Sequence, residues 1–263
     1  MMIKKYNIPI FIPHEGCPHT CVFCNQNKIT GVHTSVTTDD VRRIIEEYLE
    51  FIPSDNRYVE VAFFGGSFTG LPIKIQENFL KTAAEYSKYT DGIRMSTRPD
   101  YINDEVLSLC IKYNVKTIEL GLQSADDEVL LLNEREHIFK DAVCASRLIK
   151  EYGILLGLQM MVGMYGSTPD KDLETARRIA ELMPDCVRIY PTLTLRGTKL
   201  EKLYNCGKYV PYSMEMAINT TDKIMRIFES NNIEIIRVGL HSDESLTDGD
   251  NIVAGPYHPA FRS

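Results

Sequence analysis

Residues Thr37 to Gly70 read TTDDVRRIIEEYLEFIPSDNRYVEVAFFGGSFTG, a stretch that holds a helix, a strand and a glycine loop in succession. Val41, Ile44, Ile45, Tyr48, Leu49 and Ile52 fall on one stripe at helical spacing, and Asp39, Asp40, Arg42, Arg43, Glu46 and Glu47 fall off it. An amphipathic helix with its apolar stripe against a core is therefore expected. Thr37 or Thr38 is its expected N-cap, and Asp39 and Asp40 suit the positive end of its dipole. Tyr58–Phe64 then reads as a strand of apolar residues. Two glycines, Gly65 and Gly66, close it.

The same alternation extends in both directions. Candidate strands are Ile8–Ile12, Tyr58–Phe64, Ile93–Ser96, Val115–Leu122, Ile154–Val162, Val187–Tyr190 and Ile233–Val238. Helical patterns lie near Pro72–Tyr89, Asn103–Tyr113, Asp126–Leu132, Phe139–Tyr152, Asp170–Leu182 and Met214–Asn231, and Gly153 is placed to end the helix before it. Strand–helix repetition of this kind gives parallel strands with crossover helices. The expected fold is α/β, a partial (β/α)6 parallel-strand barrel over residues 1–240. Residues 241–263 form a polar, turn-rich C-terminal extension that stops without a closing element, and the natural chain is expected to run past Ser263. In such folds ligands bind on the loops after the carboxyl ends of the strands.

Composition narrows the class. The chain has 263 residues, 44% hydrophobic and 25% charged, which excludes disordered, collagen-like and low-complexity proteins. The apolar runs, such as Ile8–Pro13 and Val61–Phe64, are far too short to cross a bilayer, and no secretory signal precedes them. A cytoplasmic protein without a membrane partner is expected. The formal net charge of -7 does not favour a nucleic-acid backbone as partner.

Seven cysteines without a secretory signal argue against a disulfide framework. Cys110, Cys144, Cys186 and Cys206 are scattered and read as structural thiols. Cys17, Cys21 and Cys24 are clustered after the first strand, in His14-Glu15-Gly16-Cys17-Pro18-His19-Thr20-Cys21-Val22-Phe23-Cys24-Asn25. Thiolates select zinc, copper(I) or iron–sulfur clusters. Four-iron clusters usually take four thiolates, so three would leave one iron open to a ligand. The alternative is a Cys3His zinc site completed by His14 or His19, against which stands the absence of a second ligand pair.

This spacing, with Phe23 directly before the last cysteine, resembles the signature of the radical S-adenosylmethionine enzymes. The resemblance implies a [4Fe–4S] cluster on Cys17, Cys21 and Cys24, with S-adenosylmethionine chelating the open iron and Phe23 near its adenine. It implies reductive cleavage to a 5′-deoxyadenosyl radical, with an electron donor such as flavodoxin or ferredoxin. Gly65, Gly66 and Ser67 then look like the glycine motif that meets the methionine amino group, with Ser67 in the position of its acidic residue. Taken alone these glycines read equally as a tight turn, and the lysine of a phosphate-binding loop is missing.

Ser96, Gln123 and Gln159 fall near the same end of successive strands, and buried polar side chains there need a partner. The stretch from Gly121 to Arg135 resembles two radical groups, the oxygen-independent coproporphyrinogen oxidase-like enzymes and the Elongator catalytic subunit with its prokaryotic relatives. By that resemblance Gln123 and Gln159 meet the ribose and Arg135 the methionine carboxylate. Phe11-Ile12-Pro13-His14, Phe64–Thr69, Ser96-Thr97-Arg98-Pro99, Val187–Thr192 and Gly255–Phe261 favour the Elongator-like group. That group's N-terminal tRNA-binding extension and C-terminal acetyltransferase domain are not expected within this chain. Arg188, Tyr190, His241, Tyr257 and His258 are candidates for the substrate side. The substrate is expected to be tRNA-related; the alternatives are a small or porphyrin-like carboxylate, or a non-enzymatic zinc-binding module.

Overall fold

A computed structural model describes residues 3–12, 16–17, 20–25, 36–240, 251–258 and 260–261. Seven parallel strands form one sheet: β1 (Lys4–Ile12), β2 (Arg57–Gly65), β3 (Gly92–Thr97), β4 (Val115–Gln123), β5 (Leu155–Val162), β6 (Cys186–Pro191) and β8 (Glu234–Val238), hydrogen-bonded in that order. All seven expected strands are present. A two-stranded antiparallel ribbon, β7 (Thr194–Leu195) with β9 (Ile252–Ala254), ties the C-terminal extension to the loop after β6.

The helices are α1 (Thr38–Phe51), α2 (Ile73–Ala84), α3 (Asp104–Lys112), α4 (Asp127–Leu132), α5 (Phe139–Glu151), α6 (Pro169–Glu181), α7 (Lys199–Asn205) and α8 (Met214–Ser230). Thr37 caps α1, its hydroxyl accepting from the Asp40 amide while the Asp40 carboxylate accepts from the Thr37 amide. Gly153 ends α5 at φ +71°, and the Ile154 amide returns to the Ile149 carbonyl. Helix α2 stops five residues before the expected end: beyond Ala84 the amides turn to i−3 partners, with Tyr86, Ser87 and Tyr89 donating to Ala83, Ala84 and Tyr86.

Alternation along the strands sorts residues onto two faces. Ile8, Ile10, Val59, Val61, Phe63, Ile118, Leu120, Leu156, Leu158, Val187 and Ile189 are buried beneath the helices in a single core. The intervening residues Glu60, Arg94, Glu119, Gln159 and Arg188 point to the other face. A flat sheet of seven strands would hold its edges roughly 29 Å apart. Here Lys5 of β1 reaches Glu234 of β8 at 2.9 Å, so the sheet curls until its edges meet near the amino ends of the strands. The inner face thus lines the trough of a partial barrel. Among the described residues no helix is long and apolar enough to cross a membrane.

Candidate cofactor site

The cysteine loop is held by backbone on both sides. The Val22 amide donates to the Asn133 carbonyl at 3.2 Å, and the Leu200 amide of α7 donates to the Val22 carbonyl at 2.9 Å. Val22 packs with Leu200 and Tyr209, and Phe23 lies half-buried against the same group. Asn133, fully buried, donates to the Val129 and Tyr165 carbonyls and so fixes the α4 terminus that the loop uses.

Close backbone packing brings this loop to the glycine turn after β2. Gly16, at φ +74°, sits so near that a Cβ there would lie 1.9 Å from the Ser67 carbonyl oxygen, and a Cβ on Gly70 would lie 2.0 Å from the Gly16 oxygen. Only glycine permits that approach. Gly65 has φ +103°, and the Gly66 amide donates to the Ile12 carbonyl at 2.6 Å. Ser67 is fully buried, its hydroxyl sharing a 2.8 Å hydrogen bond with Thr97 and accepting from the Arg98 amide. Its side chain braces β2 against β3, which leaves the backbone of 65–67 as the part that lines the loop.

Arg135 is the centre of the site. It is buried and donates through Nη1 to the Cys21 sulfur at 3.2 Å and through Nη2 to the Gly121 carbonyl, while its Nε has no partner. It forms no ion pair with an acid among the described residues. Its neighbours Glu134 and Glu136 both have positive φ, 53° and 57°. Such backbone costs energy in a non-glycine residue and is held only where the surroundings dictate it. Gln123 shares the pattern: it ends β4 at φ +70°, beyond a register shift, with a buried side-chain oxygen that accepts no hydrogen bond. Arg98 donates to the Arg135 carbonyl at 2.6 Å and pairs with Asp100.

The electrostatics favour an anionic guest. Burial and the neighbouring Cys21 push the Cys17 thiol above its ordinary range, while Arg135 and Arg98 pull it back. His137 is buried, and neither ring nitrogen makes a well-formed hydrogen bond. Burial, and then Arg135 and Arg98, push it down to about 4, so it is neutral near pH 7. Among the described residues no three of His, Cys, Asp and Glu converge on a single point, as one metal ion would require; a cubane, with its thiolates on separate irons, makes no such demand. His14 and His19 lie outside the described residues. A cluster and a carboxylate-bearing ligand fit the donor set: soft thiolates, an acid-free buried guanidinium and an orphaned amide oxygen.

Ser96 and Gln159 form a second group. Gln159 Nε2 donates to Ser96 Oγ and to Glu119 Oε2, both at 3.1 Å. Glu119, 1% exposed, also accepts from Arg94 at 3.0 Å and from both Nε and Nη2 of Arg188. Burial alone would raise its pKa, but Arg188 and Arg94 hold it below the ordinary range. Sequence reasoning missed this hub, although an acid between Ile118 and Leu120 on an otherwise apolar strand is a signal. It also missed Gly16 and Gly70. Tyr257 packs the extension against Leu193 and Leu195 of the loop and short strand after β6, while His258 Nδ1 accepts from the Ala260 amide within the extension. His241 lies outside the described residues.

The comparisons with known proteins agree with this geometry. Residues 11–179 match the family model of the Radical SAM superfamily, and residues 184–263 match that of the Radical_SAM C-terminal domain. The chain is 29% identical over 252 residues to the tRNA uridine(34) acetyltransferase of Methanocaldococcus jannaschii, covering 80% of this chain and 47% of that one. It is 28% identical to human Elongator complex protein 3, covering 82% and 48%. This chain thus spans about half the length of these relatives. The solved structure of the archaeal Methanocaldococcus infernus Elp3 with N-terminus deletion superposes with a TM-score of 0.77 at 22% identity, covering 99% of this chain and 61% of that one. Cysteine loop, glycine turn, curled parallel sheet and family match agree, and the chain belongs to the radical S-adenosylmethionine superfamily, an enzyme class whose cofactors are a [4Fe–4S] cluster and S-adenosylmethionine.

Proposed function

We propose that this chain cleaves S-adenosylmethionine reductively and directs the resulting radical at a substrate lying in the trough. Cys17, Cys21 and Cys24 would hold the cluster, which supplies the electron for cleavage when bound. The observation that carries this reading is Arg135, a buried guanidinium facing the Cys21 sulfur with no acidic partner among the described residues. Burying such a charge is costly unless an anion completes it. Arg135 would hold negative charge at the cluster edge or on the methionine carboxylate. Gln123 offers its orphaned oxygen to a hydroxyl donor. Gly65 and Gly66 present backbone without side-chain obstruction. Phe23 would shield the adenine from water, and Ser67 holds the glycine turn to β3. Gln159 and Ser96 would meet the ribose once Gln159 exchanges one of its internal contacts. Barrel residues 1–240 would carry this chemistry, with 241–263 as a C-terminal extension, in the cytoplasm and with a small reductant such as flavodoxin or ferredoxin.

The substrate we favour is tRNA-related, on the strength of the relatives' names. The test is 5′-deoxyadenosine formation by reconstituted protein and dithionite, with and without bulk tRNA. Stimulation by tRNA of tenfold or more supports the reading. Equal turnover without RNA would replace it with a small-molecule substrate.

A further inference from the structure

The inner face of the sheet carries one cation more than its acids can neutralise. Glu60 accepts from Arg94 Nε at 3.0 Å and from Thr117 at 3.1 Å. Glu119 is filled by Arg94, Arg188 and Gln159. Lys5 and Glu234 satisfy each other at the bottom of the trough. That leaves Arg237. A register shift in the β6–β8 pairing skips Ile236 and sets Arg237 opposite Arg188, and its electrostatic coupling to Arg188 and Tyr190 places it on their face. It is half-buried, and among the described residues it makes one hydrogen bond, Nε to the Gly239 carbonyl at 3.2 Å. Burial, with Arg188 nearby, lowers its pKa, while Tyr190 acts in the opposite sense.

Position gives this cation a use. Arg237, Arg188, Gln159 and Gly121 are successive partners across β8, β6, β5 and β4. Gly121 is the residue whose carbonyl Arg135 holds. Three strand spacings separate Gly121 from Arg237, about 14 Å along the sheet. Arg135 thus stands at the cofactor end of this row and Arg237 on the opposite wall, level with the mouth. A guanidinium offers a planar fork that matches an oxyanion. The described inner face has four cations, Lys5, Arg94, Arg188 and Arg237, against three acids, Glu60, Glu119 and Glu234, so a monoanion balances it and a phosphate dianion does not.

We propose that Arg237, backed by Arg188 and Tyr190, is the substrate-anchoring site of this enzyme and takes a carboxylate borne by the substrate or a co-substrate. The assignment rests on the radical reading for its purpose but not for its binding, and the two can fail separately. The probe is butyrate, titrated into the reconstituted full chain at constant chloride with saturating S-adenosylmethionine and followed by ligand-observed NMR. Saturable binding is expected in the wild type. Arg237→Gln should weaken it about tenfold or more, the loss of one charged hydrogen-bonding fork, and Arg237→Lys should fall between. At pH 8.5, where inorganic phosphate is almost entirely the dianion, it should displace butyrate no better than chloride does.

The proposal is overturned by the absence of saturable binding in wild type, by unchanged binding in a folded Arg237→Gln protein, by displacement with phosphate, or by butyrate binding that appears only when S-adenosylmethionine is left out. Should Arg237→Gln fail to fold, unchanged binding in Arg237→Lys overturns it equally. Formation of 5′-deoxyadenosine by the same wild-type preparation tests the radical reading on its own. Butyrate binding without it removes that reading and leaves the anion site standing.

Discussion

The two faces of the sheet come from the same strands and obey different rules. Outward, Ile118, Leu120 and Leu122 enter a core where any apolar residue of suitable volume would serve. Inward, one residue along, Glu119 is held by three specific partners from β3, β5 and β6. Parallel strands under crossover helices ordinarily read as continuous apolar runs because both faces are buried. Here the inner face is a trough, and its polarity is what makes room for a charged cofactor. The outer face sets the fold, and the inner face sets what the fold can bind.

The largest expected effect separates the faces at one step of the chain. Glu119→Ala would leave the Arg94 and Arg188 guanidinium groups facing each other without their shared acid and should cost about 3–5 kcal/mol in denaturant unfolding. Leu120→Ala next to it should cost about 2–5 kcal/mol through a cavity. The distinguishing readout is S-adenosylmethionine binding by the folded protein, which Leu120→Ala should spare and Glu119→Ala should weaken. Equal binding in both variants would break the comparison.

A pH titration sharpens it. His137 has its folded pKa depressed from 6.5 to about 4, so the neutral ring is favoured in the native state. Its contribution is fully present above pH 6.5, is lost as pH falls toward 4, and amounts to about 3 kcal/mol at most. A His137→Leu protein should show a flatter stability profile between those values. An unchanged slope would mean that His137 does not titrate there.

Gly16→Ala should act on the site rather than the sheet. Left-handed backbone and a Cβ driven into the Ser67 carbonyl cost about 1–3 kcal/mol locally. The expected result is a folded protein by circular dichroism that retains less iron after reconstitution. Full iron retention would show that the cysteine loop does not need the Gly16–Gly70 contact. The smallest effect belongs to Lys5→Met. Both members of that pair are more than half exposed, so the loss should be about 1 kcal/mol or less despite its place between the sheet's edges.

The legibility of the molecule followed the range of its interactions. Period 2 and period 3.6 patterns are local, and they placed all seven strands of the main sheet and the α1 stripe to within a few residues. Helix α7 was not read from the sequence, and the strands of the β7–β9 ribbon, two and three residues long, are too short to show a period. The cysteine spacing and the glycine pair were legible as motifs. Arg135 against Cys21 joins residues 114 apart, and Arg188 against Glu119 joins residues 69 apart. No window of sequence contains such pairs, and the positive φ values around Arg135 fall on glutamates rather than on glycines that would have announced them.

The measurement that tests the account most directly is iron and sulfide content after anaerobic reconstitution, with 5′-deoxyadenosine assayed on addition of S-adenosylmethionine and dithionite, for wild type beside Cys21→Ala. The account predicts about four irons per chain in the wild type and cleavage that the variant loses. Zinc in place of iron, or cleavage that survives in Cys21→Ala, would contradict it.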